Sequence, residues 1–257
     1  MADLFEGGAD VWHVYQTVAS SDVLQQGDLV RFSSGDCLRR LGIVVTADCD
    51  LDKKKHSRIV TLVPLLSVDE IIRHCLVYEV FDNYSVLLAD TCRRILKITA
   101  KTSDLAFLAN VRERLLEDKF ESIAQKMLAQ LVIGDIFDMT IPEIKGVLEL
   151  LGVKWSKMLE KFKSQIMSRG DLLLLASPPL IKDSSKIAWL RAMWQEHVTC
   201  IALRTSEEAE KRGIRMAQLK SPYRYRLTQM LGQVFADIGL PEIPKDPMEY
   251  DFSGLEK

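Results

Sequence analysis

The hydrophobic residues of this chain change their spacing twice, which limits the folds it can adopt. Between residues 28 and 98, short runs rich in Val, Ile, Leu and aromatic residues alternate with polar turns, a pattern typical of β-strands. From residue 103 to residue 169, apolar residues recur every three or four positions between Arg, Glu and Lys, as on amphipathic helices. Runs typical of strands return from residue 170, so the pattern predicts an α+β fold.

This pattern divides the chain into five segments, with bounds at 1–26, 27–102, 103–169, 170–206 and 207–257. After a short N-terminal segment, the second segment has the many short strands of a compact β-barrel or sandwich. The third is predicted to be a helical insert of about three helices, and the fourth a second β segment that completes or repeats the barrel. Within the fourth, IAWLRAMW also fits a short helix. The fifth is predicted as a helix, interrupted near Pro222, and an extended proline-rich tail.

Two Gly-Asp pairs suggest an internal repeat. Gly27-Asp28 and Gly170-Asp171 each open a β segment, and each is followed by a polar loop and a second apolar run. A Gly-Asp pair is also a frequent turn in front of a strand. Both interpretations stay open at the level of the sequence.

The composition excludes several classes of function. Lys+Arg 34 against Asp+Glu 36 gives a formal charge of -2, so binding to nucleic acid would need a local basic patch. No apolar run reaches the roughly 20 residues of a membrane span, and the N-terminus carries acids where a signal peptide carries positive charge. We therefore expect a cytoplasmic protein that does not bind membranes. The five cysteines contain no CxxC pair, which argues against a disulfide framework and a closed zinc site.

An acidic cluster follows the apolar run LGIVVTA. In an extended chain Asp48 and Asp50 would point to the same side, and Asp52 would add a third oxygen ligand for Mg²⁺ or Mn²⁺. Cys49 is a poor candidate for a nucleophile, because the neighbouring carboxylates oppose formation of a thiolate. The simpler alternative is a strand end with solvated acids and one buried thiol. The predicted cofactor is accordingly none, or Mg²⁺ or Mn²⁺ if the cluster binds metal.

Two basic stretches are candidates for contact with nucleic acid. The first is the turn after the acidic cluster, which would bind phosphate in a salt-sensitive manner but is equally compatible with a solvated hairpin. The second interleaves Tyr and Arg, as sites for single-stranded nucleic acid do, although both residue types also dominate protein interfaces. The predicted nucleic-acid-binding residues are Arg31, Arg39, Arg40, Lys53, Lys54, Lys55, Arg58, Tyr223, Arg224 and Arg226.

The stretches QGDLVRF, CLRRLGIVVTAD and SRIVTLVPLLS resemble the MazF/PemK toxin family. In that family a Gly-Asp opens the first strand of an SH3-like barrel, a basic residue precedes the second strand, and a third strand ends in a Val-Pro motif. The resemblance implies an SH3-like β-barrel in residues 27–102 and a ribonuclease in which Arg40 is catalytic. Leu66 stands where the family has a hydroxyl, and Leu41 replaces a proline. Because an apolar side chain can neither accept a proton nor donate a hydrogen bond to the phosphate, we do not expect the family's metal-free cleavage.

A second resemblance, in the C-terminal segment, also contributes to the functional prediction. The stretch SPYRYRLTQMLGQVFADIGLP is similar to the tail of uncharacterised bacterial proteins from antiphage and mobile-element loci. We therefore predict a cytoplasmic nucleic-acid-binding component of a bacterial toxin or antiviral-defence system, which would be a nuclease if it is an enzyme. The alternative is a non-enzymatic interaction module that docks a larger defence or regulatory partner through the helical insert and residues 223–226. A protein partner is expected in either case.

Overall fold

A computed structural model describes residues 11–14, 23–33, 36–55, 57–99, 102–135, 138–179, 181 and 185–236. The fold is a mixed α+β arrangement in which a curled, largely antiparallel sheet packs against helices. The α+β prediction is therefore confirmed. None of the described helices is long and apolar enough to span a lipid bilayer.

The sheet is built from strands that lie at both ends of the chain. In the described residues these are β1 (Trp12–Val14), β2 (Asp28–Phe32), β3 (Leu41–Val44), β4 (Ile59–Ser67), β5 (Leu172–Leu175), β6 (Lys186–Trp189), β7 (Trp194–His197), β8 (Ile201–Ala202) and β9 (Gly213–Leu219). Short 3₁₀ turns at Cys37–Arg39, Val198–Cys200 and Thr205–Glu207 connect some of them.

The described helices lie mostly between β4 and β5. They are α1 (Asp48–Asp52), α2 (Val68–Ile71), α3 (Val77–Asn83), α4 (Ser85–Ile95), α5 (Asp104–Leu116), α6 (Ile123–Ile133), α7 (Ile141–Leu150), α8 (Trp155–Ser168) and α9 (Ser221–Ala236). A π-helical segment, Ile72–Leu76, joins α2 to α3.

Strand β4 pairs with three other strands in a sheet whose order is β1-β9-β2-β3-β4-β6-β5, with β7 off this path. It pairs with β3 along one edge, whereas its first half pairs with β7 and its last residues pair with β6 along the other edge. The change of partner falls at Val63 and Pro64, where proline has no N–H to donate. Strand β8 follows β7 after one 3₁₀ turn but pairs with β9 at the far side of the sheet, so the sheet curls.

Three apolar cores hold this arrangement. The inside of the curl contains Phe32, Leu62 and Trp194, and Trp194 packs against Gly42, where a Cβ atom would lie only 2.4 Å from the indole ring. The opposite face of the sheet packs against α9 through Leu227 and its neighbours. A third core joins α2 to α8 with β5 and β6.

The strands predicted between residues 76 and 99 are wrong, because LVYEVF, SVLLAD and RILKIT form α3, α4 and the turn after α4. Their buried residues recur at helical spacing, as Val77, Val80 and Phe81 do. Ser67 and Glu70 form a capping box, a sequence signal for a helix start directly after β4. The helical part of the chain therefore begins at residue 68 rather than 103.

Other predicted elements have mixed outcomes. Helices are confirmed between residues 103 and 169, although the described residues contain four rather than three. Strands β5, β6 and β7 are confirmed, so the helical alternative for IAWLRAMW is wrong. Residues 213–219 were predicted to be helical but form β9, because β1 and β2 pair with the two edges of this segment. Helix α9 begins at Ser221, and the proline-rich tail lies outside the described residues.

The two Gly-Asp motifs open similar hairpins. Strand β2 pairs with β3 and strand β5 pairs with β6, and the second strand of each hairpin flanks β4. Both aspartates are buried and paired with arginine: Asp28 lies 3.5 Å from Arg215, and Asp171 lies 2.9 Å from Arg169. The motifs differ at the glycine, because Gly27 has a φ of +89°, a conformation that favours glycine.

Candidate functional site

The acidic cluster lies on the short helix α1 rather than on an extended chain. Residues two apart on a helix differ by about 200° in direction, so Asp48 and Asp50 do not share a face. Asp48 accepts a hydrogen bond of 2.7 Å from the Gln26 N–H and lies 3.5 Å from the Arg224 guanidinium. Among the described residues, no group of three or more His, Cys, Asp or Glu side chains is arranged to hold a metal ion. The geometry on which the metal hypothesis depended, with Asp52 as third ligand, is therefore not present in this part of the chain.

In the Tyr-Arg stretch at the start of α9, Tyr223 and Arg224 make contacts within the protein. Tyr223 packs against the core between the sheet and α9, and Arg224 donates a hydrogen bond of 3.4 Å to the Gln26 carbonyl in addition to its contact with α1. Arg226 is exposed and hydrogen-bonds to Gln229. Tyr225, which is not among the predicted nucleic-acid-binding residues, is the tyrosine of this stretch that faces solvent, with 63% of its surface exposed.

The turn between α1 and β4 carries exposed cations. We call Lys53, Lys54, Lys55, Ser57 and Arg58 the basic turn; all five residues are exposed. Among the described residues, no carboxylate forms an ion pair with any of its four cations. The backbone is left-handed at three positions, with φ of 52° at Lys54, 47° at Ser57 and 63° at Arg58. Each such residue costs about 1–2 kcal/mol when it is not glycine.

The basic turn borders a cavity of about 560 Å³, which we call the mouth pocket. Its walls are apolar and come from Val23, Leu24, Leu51, Val198 and Leu203. Its polar lining comes from Lys54, Ser57, Arg58 and Thr199. Leu24 and Leu51 also belong to the core inside the curled sheet, so the pocket continues that core towards the surface. Cavities of about 300–1,000 Å³ with mostly apolar walls and a few polar groups are typical of ligand sites.

Hydrogen bonds fix the walls of the mouth pocket. The Arg58 carbonyl accepts a bond of 2.8 Å from the Val198 N–H, which ties the basic turn to the 3₁₀ turn after β7. On the opposite wall the buried Arg215 donates to the Val23 carbonyl at 3.2 Å. The Thr199 hydroxyl lies 2.5 Å from His197 Nδ1, and the Thr199 carbonyl accepts from Lys211 at 2.7 Å. The pocket is therefore held from several separate segments of the chain.

The predicted Arg40 does not form one patch with the basic turn. Strand β4 has nine residues, roughly 30 Å at about 3.3 Å per residue, and Arg58 precedes its first residue. Arg40 lies near its last residues, where its guanidinium forms an ion pair with Glu70, which also accepts hydrogen bonds from Ser67. Arg39 pairs with Asp36 at 3.8 Å, and Arg31 is exposed on β2, opposite Leu41 and Ile214.

A cysteine–histidine pair near Arg40 was missed by sequence reasoning. Cys37 Sγ lies 3.0 Å from His74 Nε2, and Asp138 lies 3.8 Å from the same nitrogen. The π-helical segment carries His74, but no local spacing in the sequence links residues 37 and 74. Burial raises the pKa of the Cys37 thiol, and the charges of Glu70, Asp36 and Asp138 raise it further. The thiol is therefore protonated at neutral pH, which does not favour nucleophilic chemistry.

Comparison with known proteins assigns no role to either group of residues. No family model matches the chain, and no curated protein or solved structure is significantly similar to it. The chemistry of the site therefore follows from its geometry and charge. Four exposed cations beside an apolar cavity can bind an anionic ligand that also carries an apolar part.

Proposed function

We propose that this protein binds nucleic acid, with the basic turn contacting backbone phosphates. The observation that carries the proposal is a group of four exposed cations beside the mouth pocket that form no ion pair with a described carboxylate. Two of them, Lys54 and Arg58, have a left-handed backbone. Strained residues persist where the surrounding structure imposes them, and they cluster at ligand clamps.

The charge around the basic turn is positive although the chain as a whole is not. Asp48 faces α9 and is neutralised by Arg224, which leaves Asp50 and Asp52 on the same short helix. Four positive charges against these two carboxylates give a local excess of two. Such a patch attracts the phosphate backbone and binds it without reading the base sequence.

The biological setting is also part of the proposal. The resemblance of residues 27–67 to the MazF/PemK family favours a cytoplasmic component of a bacterial toxin or antiviral-defence system, and a curled antiparallel sheet is compatible with an SH3-like barrel. Arg40 matches the family's arginine but is paired with Glu70, and Leu66 carries no hydroxyl. We therefore propose binding without the family's metal-free cleavage.

The test is a binding titration with labelled single-stranded RNA, single-stranded DNA and duplex DNA over a range of salt concentrations. In the basic turn, replacing all four cations with Gln should weaken binding at least about tenfold at low salt. It should also lower the salt slope by about three, because each lost phosphate contact of a single strand contributes about 0.7.

The matched control replaces four exposed lysines at the start of α8 and along it with Gln: Lys154, Lys157, Lys161 and Lys163. It removes the same charge, and we expect a much smaller change in affinity and salt slope. Equal losses in the two variants would show that only net charge matters. Failure of the wild-type protein to bind any of the three nucleic acids would reject the proposal.

One observation favours the alternative function, docking of a protein partner through the helices. Leu105 and Leu116 on α5 and Ile123 on α6 are 84%, 89% and 67% exposed. Leu105 and Leu116 lie on the same face of α5, because their directions differ by only about 20° around the helix. If these residues contact a partner, Leu116→Ser and Ile123→Ser should preserve the melting temperature but abolish co-purification of that partner from cells. Unchanged co-purification would reject this surface as the docking site.

A further inference from the structure

Binding of phosphate does not require an apolar cavity such as the mouth pocket. Contacts to phosphate need only exposed cations and N–H groups. The basic turn nevertheless borders a cavity of about 560 Å³ whose walls include Val23, 46% exposed, and the largely buried Leu24 and Leu51. Apolar walls open to water are unfavourable unless a ligand covers them. The position of this cavity beside the cations suggests that the same ligand occupies both.

We propose that the mouth pocket accepts one unstacked nucleobase of a bound single strand, while Lys54 and Arg58 contact the phosphates on either side of that nucleotide. This inference rests on the proposed function and names the form of nucleic acid that the site selects. A base has two apolar faces and a polar edge, and proteins that hold an extruded base stack it between apolar or aromatic side chains. Aliphatic walls with hydroxyls at the rim meet both requirements.

Of the two hydroxyl groups that line the pocket, the one on Thr199 is fixed in position. Thr199 is held by His197 at its hydroxyl and by Lys211 at its carbonyl, and Ser57 lies next to Arg58 in the left-handed part of the turn. Two hydroxyls that line one cavity can donate to or accept from the edge of a base. Because a hydroxyl does both, these contacts would tolerate different bases.

The charge pattern of the pocket favours a nucleotide over an uncharged apolar ligand. Lys54 and Arg58 both line the cavity, and neither forms an ion pair with a described carboxylate. A base inside the cavity would leave its sugar and phosphates at the rim, where these side chains lie. In a duplex the base is stacked and paired, so its entry would cost the free energy of extrusion. The site should therefore prefer single strands.

The experiment compares intact and abasic oligonucleotides. Fluorescence anisotropy is measured with 12-nucleotide single strands, as RNA and as DNA, and with matching strands that lack every base. We expect the abasic strands to bind at least about fivefold more weakly, the lower end of what one base contact contributes. Comparison of RNA with DNA shows which sugar the site accepts.

Two matched variants locate the base contact. Val23→Asp puts a carboxylate on the pocket wall, and Ile59→Asp puts the same charge beside the basic turn but outside the pocket, at a residue that is 43% exposed. Both should weaken phosphate binding to a similar extent. Val23→Asp should also remove the difference between intact and abasic strands, whereas Ile59→Asp should retain it.

The outcomes separate this inference from the proposed function. Equal binding of intact and abasic strands by the wild-type protein would overturn the base pocket and leave phosphate binding intact. A difference that survives Val23→Asp would place the base elsewhere and also overturn it. Absence of binding to every strand would overturn both the base pocket and the proposed function. If the protein then bound an acidic peptide with an apolar side chain, the pocket would be assigned to a protein ligand.

Discussion

Charged residues are used differently at the two ends of strand β4. At its start, the cations of the basic turn form no ion pair with a described carboxylate. At its end the sheet meets the helices, and we call the ion-paired residues there the junction. In the junction Arg40 pairs with Glu70, and Arg169 pairs with Asp171 and Glu79. Basic residues that look similar in the sequence therefore either hold elements together or remain available to a ligand. Partners that the fold supplies decide between these roles.

The largest expected effect tests the structural role of the junction. Asp171 is 5% exposed and accepts two hydrogen bonds of 2.9 Å from Arg169, while Arg191 lies 3.1 Å away. Asp171→Asn leaves these arginines without their carboxylate, so we expect a loss of about 3 kcal/mol in the free energy of unfolding. Urea denaturation measures this loss. A change below about 0.5 kcal/mol would mean that Glu79 suffices to hold Arg169.

The same variant should alter the pH dependence of stability. Burial acts to raise the pKa of Asp171, but hydrogen bonds and charge from Arg169, with the charge of Arg191, outweigh it and lower the net pKa. A carboxylate with a lowered folded-state pKa contributes stability above its unfolded pKa and loses it as the pH falls through the folded value. The wild-type protein should therefore lose more stability than Asp171→Asn between neutral and acidic pH. Parallel losses would contradict this assignment.

A smaller effect separates stability from binding in the basic turn. Arg58→Gly relieves a left-handed conformation, and after the extra entropy of glycine in the unfolded chain we expect a gain of about 0.5–1 kcal/mol. Lys97→Gly is a matched control, because Lys97 is exposed and has a φ of 55° but lies outside the mouth pocket. Both variants should melt at a higher temperature, and only Arg58→Gly should bind nucleic acid more weakly. Similar binding by both variants would mean that Arg58 does not contact the nucleic acid.

The smallest effect concerns the reactivity of the thiols at the two ends of β4. Cys49 on α1 is exposed, whereas Cys37 in the junction is half-buried and lies against His74 with a raised pKa. A raised pKa lowers the thiolate fraction at a given pH, so iodoacetamide at neutral pH should modify Cys49 several-fold faster than Cys37. Peptide mass spectrometry over time gives both rates. Faster modification of Cys37 would indicate a thiolate paired with protonated His74.

Much of the fold could be predicted from local patterns, with one large error. Strands β2 and β3 are short apolar runs between turn residues, and α5 to α8 repeat apolar residues at helical spacing, so both groups were predicted. Helices α3 and α4 consist of short apolar runs that fit either structure, and they were predicted as strands. The capping box at Ser67 and Glu70 was the signal that favoured a helix.

The candidate site could be predicted only in part. The basic turn was recognised because its cations are adjacent in sequence. The pairing of Asp48 with Arg224 and the contact of Cys37 with His74 have no local signal, since each joins distant parts of the chain. The sequence does not show that Arg40 and the basic turn lie at opposite ends of β4, because Arg40 reaches that end only through the folding of the sheet.

The sequence alone predicts the α+β character, the helices between residues 103 and 169, a β segment after each Gly-Asp pair and the position of the basic turn. Each depends on neighbours within about one turn or one strand. Tertiary structure alone decided which charges are neutralised and where the mouth pocket forms. The physical reason is distance: an ion pair needs atoms within about 4 Å. In this protein the curl of the sheet brings Val23, Leu51 and Leu203 to one cavity.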